Sequence, residues 1–145
     1  MNAATMKSVG EDTVIETVTV SEANHLRYLR VVLVVVGFIF IFGIYTLAVV
    51  WPSGWAWGHG HSHYLMMILG VYATLGVFLL IASKNPAAHT SLIWFTVWSS
   101  VVHAVIMAVQ AATDGAERGH LIGDVPALLV VAIVLAALTP RARRA

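Results

Sequence analysis

The sequence predicts an all-α membrane protein, an antiparallel four-transmembrane-helix bundle, and three observations predict it. Of 145 residues, 59% are hydrophobic and 10% charged, against about 45–50% and about 25% in an ordinary soluble domain. Hydrocarbon about 30 Å thick needs about 20 apolar helical residues, and four such stretches follow one another along the chain. The connections between them are short and polar, which makes consecutive helices antiparallel neighbours.

The first span, about 31–50, carries no charge, and Trp51-Pro52 follows it as an interfacial anchor and a helix stop. The second, about 64–82, ends at Ser83-Lys84-Asn85-Pro86, where proline bars continuation. The third, about 90–112, is the one span with a titratable residue near its middle, His103. The fourth is less regular, because 125–139 alone would cover about 22 Å at 1.5 Å per residue. Its start is therefore expected upstream, near Gly119, for a span of about 119–139 with Asp124 about 7 Å below the surface. An alternative has Asp124 capping a helix that begins at Val125, after a loop over 119–123.

The spanning domain covers 25–140. Residues 1–24 hold Lys7 against Glu11, Asp12, Glu16 and Glu22 and lack the basic and apolar regions of a secretory signal, so a cytoplasmic disordered tail is expected there. Residues 141–145 form a basic tail. Arg27, Arg30, Lys84, Arg141, Arg143 and Arg144 flank one side of the spans and Arg118 the other. The positive-inside rule then gives a multi-pass inner-membrane protein with both termini cytoplasmic.

The absence of cysteine excludes disulfides, thiolate metal sites and covalent c-type haem. A formal charge of +1 leaves no basic excess for nucleic acid. The partner expected is the lipid bilayer, and glycines such as Gly37, Gly43, Gly70 and Gly76 suit helix packing within the bundle, with a second copy, or with a larger membrane complex.

Three histidines, His59, His61 and His63, stand at alternate positions at the mouth of the second span. Imidazole is the commonest metal-ligating side chain. They form either a chelating loop or a solvated aromatic loop anchored by Trp55, Trp57 and Tyr64. On the third span Ser99, His103 and Gln110 lie near one face, with Asp114 just beyond it. A polar stripe of this kind is expected to face the bundle interior.

Folding the hairpin back about Ala116 puts Asp124 level with about Ala108, about one and a half turns from His103, and His120 extends the pair toward the surface. Their side chains are expected to converge, either as a site or as structural hydrogen bonds. The set His59, His61, His63, His103, His120 and Asp124, with imidazole and carboxylate donors, suits a divalent transition metal: Zn, Ni, Mn, Fe or Cu. Haem is not expected, since His103 is alone well inside the bilayer. No nucleophile elbow, P-loop, dinucleotide fingerprint or HExxH is present, so the reading leans away from an enzyme.

From Arg27-Tyr28-Leu29-Arg30 through Trp51-Pro52-Ser53-Gly54-Trp55 to Glu117-Arg118-Gly119-His120 and Asp124-Val125-Pro126, the chain resembles small bacterial four-helix membrane proteins of unknown function with a DoxX-like or BphX-like layout. That resemblance implies an integral protein, in some cases near respiratory or aromatic-degradation systems. It assigns no site residue. The function favoured by the residues is a non-enzymatic outer-face His/Asp metal-binding or metal-handling protein. The alternative is an accessory subunit of a membrane redox complex linked to quinone.

Overall fold

The structure, a computed structural model, describes residues 23–56 and 63–140. The N-terminal tail, His59, His61 and the basic 141–145 segment lie outside the described residues. Within them the chain is all-helical, with four helices long and apolar enough to cross a membrane. This is the architecture the composition predicts.

Helix α1 runs Ala23–Val50. Leu29, Leu33, Val36 and Phe40 recur every three or four residues and are buried, while Tyr28, Val31, Val35, Phe38 and Phe42 on the other faces are exposed. An exposed apolar face suits lipid, and packing within the bundle then relies on close contact rather than on water exclusion. Gly37 meets Gly76 of the third helix so closely that a Cβ on Gly76 would lie 2.6 Å from the Gly37 carbonyl oxygen. Two residues further on, the helix widens into a π-turn over Ile39–Gly43.

Trp51 leaves helical geometry at φ −132°, ψ 71°, and Pro52 opens the short helix α2, Pro52–Trp55. Helix α3 runs His63–Ala82, and its buried residues, Gly76, Leu79 and Ala82, all fall in its second half. The first half stands away from the core. After a 3-10 turn at Pro86–His89, helix α4 runs Thr90–Thr113 with Ile93, Thr96, Val97, Ser100, Ala104, Met107 and Ala111 along its buried face.

The fourth crossing is not one continuous α-helix. A 3-10 segment, Gly115–Leu121, is followed by a turn at Ile122 and Gly123, and helix α5 runs Asp124–Leu138. Fifteen α-helical residues reach about 22 Å, and seven 3-10 residues at about 2.0 Å each complete the crossing. Asp124 opens α5 as its first residue, after Gly123 as N-cap. At the opposite end His25 donates through Nε2 to the Ala137 carbonyl at 3.2 Å, tying the start of α1 to the end of α5.

The buried residues form two clusters. The larger joins Leu29, Leu33, Val36 and Phe40 of α1 to Leu79 and Ala82 of α3, Ile93 and Val97 of α4, and Ala132 and Leu135 of α5. The smaller holds Ala104, Met107, Val125 and Leu128. Tyr72 packs against both. One end of the bundle is therefore filled from all four helices and the other from α4 and α5 with Tyr72 of α3 against them, and a cavity lies at that thinner end.

Candidate functional site

The site begins with the 3-10 segment after α4. Asp114, exposed, caps that segment by accepting the Ala116 amide at 2.9 Å. Three residues per turn bring Glu117 and His120 onto one edge, and the Ile122–Gly123 turn carries Asp124 back beneath the same ring. His120 Nε2 lies 3.0 Å from Glu117 Oε2, and His120 Nδ1 lies 3.0 Å from Asp124 Oδ2. The imidazole is fully buried, the Asp124 side chain is 10% exposed and that of Glu117 is 16% exposed.

Two hydrogen bonds from one imidazole to two carboxyl groups require two protons. Either an imidazolium sits between two carboxylates, or a neutral ring sits between a carboxylate and a carboxylic acid. Both arrangements leave the three groups with a net charge of −1.

Helix α2 roofs this triad. Cβ atoms at Gly119 and Gly123 would run into the carbonyl oxygens of Ser53 and Gly54 respectively. Only glycine permits two backbones to approach so closely. The sequence marks Gly119-xxx-Gly123 as a packing motif, and its partner is the backbone of α2.

Below the triad is a cavity of about 280 Å³. One face of α3 supplies Tyr64, Leu65, Ile68, Leu69 and Tyr72; α4 supplies His103 and Met107; α5 supplies Asp124 and Leu128; Ile44 and Trp55 close it from α1 and α2. The wall is mostly apolar. Phe40, Tyr72 and His103 form a ladder of edge-to-face rings, with centroids 5.0 Å apart for the first pair and 5.7 Å for the second. Tyr64 and Ile68, both lining the cavity, are exposed on the half of α3 that stands off the core.

Two buried polar atoms on the residues of this wall have no hydrogen-bond partner among the described residues, Asp124 Oδ1 and Trp55 Nε1. The neighbouring Val125 amide lies close to the Asp124 carboxylate, but no hydrogen bond reaches Oδ1. One atom is an acceptor and the other a donor.

The residues singled out by sequence separate into three groups. His103 and Asp124 line one cavity, and His120 bonds Asp124 from above. Ser99 donates to the Thr96 carbonyl of its own helix at 3.2 Å, Gln110 lies half-buried outside the cavity wall, and Asp114 caps the 3-10 segment. His63 is exposed at the start of α3, and His59 and His61 lie outside the described residues. Among the described residues no three His, Cys, Asp or Glu side chains are grouped to hold a metal ion. Sequence reasoning did not single out Glu117 or Tyr72 as site residues and read Trp55 as an anchor. The Glu117-xx-His120-xxx-Asp124 spacing is a usable signal for the triad only once the 3-10 turn is known.

Residues 23–144 match a family of unknown function (DUF6632). The chain belongs to that family. No curated protein and no solved structure matches the chain.

Proposed function

We propose that this DUF6632 member is a membrane protein that binds a lipid-soluble small molecule, taking its head group into the lateral cavity. The observation that carries the reading is a cavity of about 280 Å³ whose mostly apolar wall, on helices long and apolar enough to cross a membrane, also holds His103 and Asp124. The volume falls just below the usual range of about 300–1,000 Å³ for ligand sites. It suits a single ring or short head, with the remainder of the molecule in the bilayer. A role beside a quinone-linked membrane complex is consistent with such a ligand.

The Lys and Arg bias at the span ends supports both termini on the cytoplasmic side of an inner membrane, with the cavity in the outer leaflet. The metal-handling reading rests on His59, His61, His63, His103, His120 and Asp124, and no observation among the described residues favours it.

Equilibrium dialysis of 4-hexylphenol against protein in nanodiscs tests the proposal. Uptake above that of empty nanodiscs should saturate at one molecule per protein. Leu69→Trp, which fills the cavity from α3, should abolish the saturable part while leaving the thermal unfolding temperature within a few degrees. Uptake that never exceeds empty nanodiscs, or that is unchanged by Leu69→Trp, would contradict it.

A further inference from the structure

The Glu117, His120 and Asp124 group has two ends in different surroundings. The Glu117 side chain is 16% exposed, on a 3-10 segment where Ala116 and Arg118 beside it are exposed and its cap, Asp114, is exposed too. Asp124 lies on the cavity wall with His103. Between them His120 is fully buried, 3.0 Å from a carboxyl oxygen at each ring nitrogen. Both distances fall within the about 2.6–3.2 Å over which a proton passes between heavy atoms.

The two protons that these hydrogen bonds require have three arrangements. In the first, the Glu117 acid donates to Nε2 and the Nδ1–H donates to the Asp124 carboxylate. In the second, the ring holds both protons and donates to two carboxylates. In the third, the Nε2–H donates to the Glu117 carboxylate and the Asp124 acid donates to Nδ1. Going from the first to the third moves one proton from Glu117 Oε2 to Nε2 and another from Nδ1 to Asp124 Oδ2. Both hydrogen bonds persist throughout, no side chain rotates and the net charge stays at −1. No buried charge is left without a partner at any stage, and an unpartnered buried charge is the costly state. The step is reversible, and the proton returns by the same two bonds. Imidazole suits it because one nitrogen takes a proton while the other yields one.

The fold keeps the three groups in register. Gly119 and Gly123 stand on either side of His120 along the chain, and both press on the α2 backbone, at Ser53 and Gly54. The segment carrying the triad is thus pinned at two points. Of the elements packed around it, α4 brings His103 toward Asp124 and His120, and α3 brings Tyr72 toward Asp124. Helix α2 and the remainder of α5 have no ionisable side chain.

We propose that Glu117, His120 and Asp124 form a proton relay, through which the acid form passes between the exposed edge of the 3-10 segment and the cavity wall. It gives Asp124, a carboxyl that is costly to hold within a membrane span, a route of proton exchange that does not cross lipid. The relay is independent of whether the cavity holds a ligand.

Nitrogen NMR of protein with isotope-labelled histidine, in nanodiscs at neutral pH, tests this, with His120 assigned through its ring-to-backbone correlations. In wild type both His120 ring nitrogens should have shifts between those of a protonated and a bare nitrogen, because the acid form is shared between the two ends. Glu117→Gln, whose amide can still donate to Nε2, should fix the ring proton on Nδ1, beside Asp124. Asp124→Asn should fix it on Nε2, beside Glu117. If Asp124→Asn does not fold, wild type and Glu117→Gln decide. A wild-type ring with one nitrogen protonated and the other bare, or with both fully protonated, overturns the relay and leaves the group as a fixed structural bridge. The same tautomer in both variants also overturns it.

Discussion

His120 holds two carboxyl groups at once, from a position with no access to water. Removing one partner from a buried ion pair costs about 3–5 kcal/mol, because the remaining charge stays buried. His120→Ala should therefore lower unfolding stability by about 3 kcal/mol, read as a lost or strongly shifted transition in detergent. Glu117→Gln should cost about 1 kcal/mol, since Glu117 is the less buried partner and the amide can still bond the ring. Equal losses in the two variants would show that the triad does not depend on burial. The neighbourhood of His103 and Asp124 was legible in the sequence, because reflecting a short hairpin about its middle needs only the helical rise. The Glu117 contact was not, since it depends on three residues per turn where α-helical spacing puts Glu117 and His120 less well in line. Trp55 was legible as an interfacial aromatic, but nothing in its surroundings along the chain says that its N–H is buried.

At the scale of elements, three departures from regular α-helix lie around the cavity, while the 3-10 turn at Pro86–His89 lies outside its lining. The π-turn at Ile39–Gly43 comes just before Ile44, the 3-10 segment carries two members of the triad, and α2 roofs them. Widened and tightened turns of this kind are frequent at functional sites. They were not visible in the sequence, because the same apolar residues satisfy i→i+3, i→i+4 and i→i+5 bonding and tertiary contact decides among them. The contact between α2 and the 3-10 segment has a direct test in Gly123→Ala, whose Cβ would meet the Gly54 carbonyl group. A rigid backbone neighbour gives way poorly, and overpacking of this sort costs about 1–3 kcal/mol. Gly70→Ala is the control, as nothing lies within 4 Å of a Cβ there, and it should be neutral or slightly stabilising in a helix. The two variants should differ by more than 1 kcal/mol in unfolding free energy, and equal stability would remove α2 from the site.

For the molecule as a whole, the four-span architecture was legible because lipid demands long uncharged helices and leaves few alternatives. The site was legible only in part: composition marks which residues are costly in lipid, as Asp124 and His103 are, but not the gap that the standing-off half of α3 leaves beside them. On the proposed function, that gap is what a small lipophilic molecule would occupy. Native mass spectrometry of the protein released from nanodiscs formed with its source membrane lipids tests this most directly. Wild type should carry one small lipophilic adduct per chain, and Leu69→Trp should carry none at comparable folded yield. An adduct-free wild type, or one whose adduct persists unchanged in Leu69→Trp, would contradict the account.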